Sequence, residues 1–213
     1  DFCLSRGLGD VYKRQDTEEG HLDVSCLGTF LMKWLIPRLH RFRQDHSAIN
    51  IRVSTADTPV DFTRESFDVA IRVGTGPWPD DADVVPLFAE RFGPVYSAKL
   101  VVDHDTALDL PMLRTQTRRS AWVDWSRLSG IEVGTGNVTE FEHFYFMLEA
   151  AVGGLGVCIA PWPLVADDVV AGRLIAPFGF IESGQDYVAL RRRRRNKNCL
   201  LYTSPSPRDR QKS

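Results

Sequence analysis

Three places in the sequence put charged or polar groups where a ligand could be held. Ser25-Cys-Leu-Gly-Thr29 lies where an apolar/polar alternation, Leu22 to Ser25, gives way to Phe30, Leu31, Trp34, Leu35, Leu39 and Phe42 at three- and four-residue spacing. A strand that turns straight into a helix presents unbonded backbone N–H groups and the positive end of the helix dipole, which suits a carboxylate or phosphate. Ser25 and Thr29 can add hydroxyl donors to the backbone of Cys26, Leu27 and Gly28, or can simply cap the helix. Arg72 ends a third apolar stretch beside Gly74, where its guanidinium can pair with an anionic ligand, with Asp68 or with a cleft carboxylate. Trp78 and Trp122 offer aromatic faces to wall a cleft, ordinary partial burial being the competing reading for Trp122. Cys26 at a helix start is either a thiol of lowered pKa that senses oxidation, with Cys158 as distant partner, or a buried inert one.

Catalysis finds no foothold. The five histidines show no metal-ligand spacing, no CxxC pair occurs and there is no G-x-S-x-G elbow. No catalytic residue, metal or cofactor is assigned. Gly153-Gly-Leu-Gly156 follows a helix and precedes a strand, the wrong order for a dinucleotide loop, so it reads as a helix stop.

The elements that must position these residues read as βαβαβ: strand Leu22 to Ser25, helix Thr29 to Gln44 with a kink or restart at Pro37, strand Ile49 to Ser54, a short helix Thr58 to Glu65, and strand Phe67 to Arg72. Strands Val84 to Phe88 and Phe92 to Tyr96 lead out of this first lobe. A second set follows: strand Pro111 to Thr115, helix Ala121 to Leu128, strand Asn137 to Glu140, helix Glu142 to Val152 and strand Val157 to Ala160. Helix Leu164 to Ala171 and strands Leu174 to Ala176 and Tyr187 to Leu190 close the chain. Two βα lobes joined by extended crossings make a bilobal cleft protein whose ligand sits at strand C-termini and helix N-termini.

With 43% hydrophobic and 25% charged residues the 213-residue chain has ordinary globular composition, and no apolar run is long enough to cross a membrane. Four scattered cysteines point to a reducing, cytoplasmic setting. Ser5 to Gln15 back-translates to a DNA whose reverse complement, shifted by one base, encodes Cys199 to Arg208. Residues 1–15 and 199–213 are therefore expected to be non-native, translated from a sequencing adapter. Residues 16–190 carry 14 basic and 25 acidic groups, a poor surface for nucleic acid, and 191–198 read as a solvated basic tail.

The ordered motifs resemble the effector-binding domain of LysR-type transcriptional regulators. Trp34-Leu-Ile-Pro-Arg-Leu39 with Arg41-Phe42 resembles the family's first helix; Val60-Asp61-Phe62 before Asp68-Val-Ala-Ile-Arg-Val-Gly74 resembles its next conserved-looking block. Ala150-Ala151, Gly154-Leu-Gly-Val157, Pro161, Leu164-Val-Ala-Asp-Asp168, Ala171-Gly-Arg-Leu174 and Pro177-Phe178 follow the family's ending, and Trp78-Pro79 and Phe141 are most similar to the glycine-cleavage-activator branch. The resemblance implies a type II periplasmic-binding-protein-like α/β fold with two Rossmann-like subdomains, 16–91 plus 161–190 and 92–160, joined by two crossing strands. It implies a small, anionic effector bound between lobes by Ser25, Cys26, Leu27, Gly28, Thr29, Arg72, Gly74 and Trp78, with Phe141 and Glu142 from the second lobe. Glu142 is alternatively only a favourable charge at a helix start. His143, Phe144 and Tyr145 stand where the family often has small polar residues. Phe144, Tyr145 and Met147 are read as core or dimer surface. The partners implied are further copies of the chain, as a homodimer or homotetramer, with helices Thr29 to Gln44 and Glu142 to Val152 as the candidate antiparallel dimer surface, and DNA only through an N-terminal winged helix-turn-helix that is missing here. A transporter's solute-binding protein shares the fold and is the competing expectation.

Overall fold

The computed structural model describes residues 20–64, 66–134 and 136–193. Both adapter-like ends and residues 194–198 of the basic run lie outside the described residues.

The strands, in chain order, are β1 (His21–Cys26), β2 (Asn50–Thr55), β3 (Val69–Gly74), β4 (Ala82–Ser97), β5 (Met112–Thr115), β6 (Val138–Phe141), β7 (Val157–Pro161), β8 (Leu174–Ile175) and β9 (Ile181–Arg192). They share one sheet in the order β2-β1-β3-β9-β4-β7-β5-β6, with β8 paired to β4 off this path. β1 is parallel to β2 and β3, and β5 is parallel to β6 and β7. The antiparallel strands β9 and β4 join these two parallel sets, so β4 pairs with β9 in its first half and with β7 in its second. That is the bilobal architecture: two βα lobes and two strands running between them. Sheets covered on both faces need continuous apolar strands, and β3 and β7 are accordingly buried along almost their whole length.

Helix α1 runs without a break from Gly28 to Asp45, in three segments, Gly28–Phe30, Leu31–Leu35 and Ile36–Asp45. The middle segment is a wide π turn, in which the Ile36 N–H reaches the Leu31 carbonyl. The irregularity expected at Pro37 is thus met one turn earlier, where widening makes room for a ring that would otherwise strike the preceding carbonyls. Helix α2 (Ala121–Ser129) ends at Gly130, α3 (Phe144–Gly153) at Gly154, and α4 (Trp162–Val170) follows β7 directly. Gly154 has φ +88° and its N–H closes on the carbonyls of Ala150 and Ala151, the helix stop read from the sequence. Gly156 is needed for close approach: a Cβ there would stand 2.0 Å from the Pro111 carbonyl oxygen.

Four elements differ from expectation. No helix forms over the described part of 58–65; a turn stands there, in which the Asp61 carboxylate accepts from both the N–H and the hydroxyl of Thr63. That local bond competes with helix, while buried Phe62 packs edge-on to Phe67 and pins the segment. The two strands expected between 84 and 96 are one, bent by irregularities between Pro86 and Phe88 and between Ala89 and Arg91. β9 starts six residues before Tyr187 and continues into the expected tail, because β3 and β4 flank it on both sides. Arg191 and Arg193 both reach Asp83, at 3.0 and 3.1 Å, and hold that carboxyl below its usual pKa. Trp122 is core rather than cleft wall, its indole N–H donating to the Leu113 carbonyl at 3.1 Å.

Candidate functional site

A cavity of about 670 Å³ lies between the lobes, large enough for a small metabolite. The β1–α1 corner contributes Leu27, Gly28, Thr29 and Phe30, and the end of β2 contributes Thr55 to Asp57. Facing them are Thr117 and Arg118, from a short turn after β5, and His143, Phe144 and Tyr145 at the start of α3. Pro161 and Leu164 bring in the start of α4.

Three helix N-termini therefore open on one space. Their cap residues are Leu27, His143 and Pro161, and none makes a side-chain capping bond. First-turn N–H groups have no partner within their own helix, and each helix end carries roughly half a positive charge. The capping role held open for Ser25 and Thr29 is not what the structure shows.

Beneath this opening lies a charged floor. Glu90, 1% exposed as a side chain, accepts from both terminal nitrogens of Arg118, Nη1 to Oε1 at 2.8 Å and Nη2 to Oε2 at 2.9 Å. The Arg118 guanidinium also stands 5.0 Å from the centre of the Phe92 ring. Glu90 falls in the register irregularity of β4, where pairing passes from Ala89 with Asp186 to Arg91 with Glu182. Residues 183–185 of β9 stand opposite Glu90 alone, so the extra residues of this bulge lie on β9, and Glu90 lines the cleft across from them. Tyr187 completes the floor; burial pushes its phenol far up in pKa, and the Glu90 carboxylate adds to the rise. Its ring stacks on Phe30 at 5.1 Å, and Phe30 stacks on Trp34 at 4.7 Å, so the mouth of α1 is braced by aromatic packing.

Of the residues named from sequence, Leu27, Gly28 and Thr29 line the cavity and the others do not. Ser25 and Cys26 are buried behind it. Arg72 is turned inward, donating to the Ser25 carbonyl and hydroxyl at 3.2 and 3.1 Å and to the Ile71 carbonyl at 3.0 Å. Asp68, its suggested partner, instead accepts from the Asp23 backbone N–H. A strand enclosed on both faces gives an arginine no route to solvent, so the terminal nitrogens of Arg72 bond to neutral oxygens next to it. Gly74 and Trp78 pack on each other, a Cβ on Gly74 falling 3.3 Å from the Trp78 ring, and the indole covers the Phe62 cluster. Phe141 ends β6 against the main core. Glu142 lies outside α3, 75% exposed, with His143 3.9 Å away.

Cys26 and Cys158 are both free and buried, and burial pushes their thiols up to about 11 and about 12. This overturns the lowered pKa considered for Cys26: desolvation outweighs the influence of Arg72. Among the described residues no group of three or more His, Cys, Asp or Glu is placed to hold a metal ion.

Phe144 and Tyr145, read from sequence as core or dimer surface, line the cavity, whereas Met147 is buried. Glu90, Arg118 and Tyr187 were not identified either. The polar run Thr115 to Ser120 directly after a parallel strand was the available signal for Arg118, and Gly184, at φ +81°, was the available signal for the bulge opposite Glu90.

Known proteins agree with this architecture. The profile of the LysR substrate binding domain matches residues 15–200, and the chain belongs to that family. It is 39% identical over 190 residues to the HTH-type transcriptional regulator TrpI of Pseudomonas aeruginosa, covering 85% of this chain and 64% of that protein. It is 35% identical over 169 residues to the glycine cleavage system transcriptional activator of Escherichia coli strain K12, covering 75% and 54%. The chain thus spans less than two thirds of the length of these relatives. Its fold matches the AmpR effector binding domain from Citrobacter freundii with TM-score 0.67 and 31% identity, over 84% of this chain and 92% of that one. The fold is the type II periplasmic-binding-protein-like one expected, and these relatives are transcriptional regulators rather than enzymes or solute carriers.

Proposed function

We propose that the chain is the sensory part of a longer DNA-binding transcriptional regulator and that the interlobe cleft binds a small anionic metabolite. The observation that carries this reading is the meeting of three helix N-termini, none capped by a side chain, around one cavity. Leu27, Gly28 and Thr29 supply the donors from one lobe, and His143 to Tyr145 shape the other wall. The lobes correspond to 16–91 plus 161–190 and to 92–160. An effector that fits one lobe angle better shifts the protein toward it by the difference in its affinities. That shift is relayed through homodimer and homotetramer contacts of α1 and α3 to a winged helix-turn-helix carried by the rest of the polypeptide. The setting is the cytoplasm; among the described residues no helix is long and apolar enough to cross a membrane.

The family match leaves both adapter-like ends outside it except Gln15, Cys199 and Leu200, which supports their non-native origin. Reading the roughly 90 codons upstream of residue 16 in the source DNA tests the assignment. A winged helix-turn-helix and linker helix are expected there; an export signal would instead make the chain a solute-binding protein.

A further inference from the structure

We infer that Arg118 is the side chain that anchors the acid group of the cleft's ligand, and that Glu90 is a built-in counter-charge setting how tightly that acid is held. The inference rests on the reading of the cleft as an anion site and names the residue pair that tunes it. Of the described residues that line the cavity, Arg118 is the one with a permanent positive charge. Its side chain is 19% exposed, against 1% for Glu90, so the guanidinium is the member of the pair that a ligand can reach. Both terminal nitrogens are engaged by Glu90, which fixes the guanidinium plane over Phe92. A guanidinium has five N–H donors, and two bonds to one carboxylate leave the remaining ones for a second acid.

The surroundings fit this use. A buried carboxylate and a partly open arginine are costly to bring out of water, and a floor needing only stability could be apolar. Here the pair forms the floor beneath three positive helix ends, where an uncompensated arginine would hold any anion tightly. Glu90 offsets that charge, so the site responds to ligand concentration instead of filling with abundant anions. Glu90 also lies on β4, the strand that runs between the lobes, so the charge balance at Arg118 is felt where the lobes are joined.

Opposite effects of two variants test this. In the 213-residue chain, calorimetric titration with inorganic phosphate should show Glu90→Gln binding at least about threefold tighter than the unaltered protein. The double variant Glu90→Gln/Arg118→Gln keeps a neutral hydrogen-bonded pair, so it avoids stranding a buried charge; it should bind about tenfold or more weaker. Equal affinity in all three proteins, while the Gly28, Thr29 and Phe30 amide resonances still move on phosphate addition, would overturn the anchor and leave the cleft reading standing. No binding by any of the three, with those amides unmoved, would overturn both.

Discussion

The two walls of the cleft are built from different materials. The first lobe presents backbone at its helix start, where Leu27 to Phe30 open α1 with a glycine at the first helical position, beside Thr55 and Asp57 from the end of β2. The second lobe has one helix start of its own, at His143, but meets the cavity mainly with side chains: Arg118, His143, Phe144 and Tyr145. A backbone wall recognises charge and little else, since N–H groups are the same in every sequence. A side-chain wall carries shape, charge and aromatic surface that vary from protein to protein. On the proposed reading, the first lobe would capture the anion and the second would discriminate among ligands.

The largest expected effect comes from the charged floor between the two walls. Arg118→Ala leaves Glu90 buried and unpaired and should lower unfolding free energy by about 3 kcal/mol in a urea melt. Loss below about 1 kcal/mol would show that water reaches Glu90 and that the floor is not closed.

Next comes the backbone wall. Gly28→Pro deletes one N–H at the first helical position, where proline is tolerated, and Leu27 already has the extended backbone (φ −65°, ψ 137°) that precedes proline readily. Stability should stay within about 1 kcal/mol while phosphate affinity falls about tenfold, the scale of one hydrogen bond to a charged group. Unchanged affinity would move the anion contact off the first lobe.

A smaller and different effect is expected at Tyr145, whose ring packs 4.1 Å from that of Phe146. Tyr145→Ala should alter affinity for phosphate by less than about threefold yet change the ranking among a set of aromatic and aliphatic carboxylates. Parallel losses across the whole set would deny the second wall its part in discrimination.

The smallest effect concerns the thiols behind the first wall. Since Cys26 and Cys158 keep their protons in the folded state up to about 11 and about 12, a thiol reagent at pH 8 should react only on unfolding. The unfolded chain ionises earlier, from about pH 9, so stability contributed by the protonated thiols is full below that pH. It then declines as the pH rises toward 11 to 12. Rapid labelling of folded protein at pH 8 would mean that the α1 corner opens.

The same contrast explains what the residues disclosed. Order of elements is legible from spacing, so the β1–α1 corner and its Leu27-Gly28-Thr29 donors could be located without coordinates. The family motifs fixed the two lobes on similar grounds. Side-chain direction is another matter. Arg72 looked like an anion partner because it ends a strand beside a glycine, yet β3 is enclosed on both faces and turns it to Ser25. Trp78 looked like a wall and closes over Gly74 instead. Glu90 meets Arg118 across the lobes, from a strand 28 residues away in sequence, and Tyr187 lines the cleft because β9 threads between β3 and β4. Such long-range facts have no local signature, which is why the second wall and the floor were the parts not foreseen.

On the proposed reading both walls hold one anion. Titrating the 15N-labelled chain with inorganic phosphate and following backbone amides tests it directly. Gly28, Thr29 and Phe30 should shift together with Phe144 and Tyr145, along curves that fit a single affinity. Shifts confined to one wall, or appearing only outside the cleft, would contradict it.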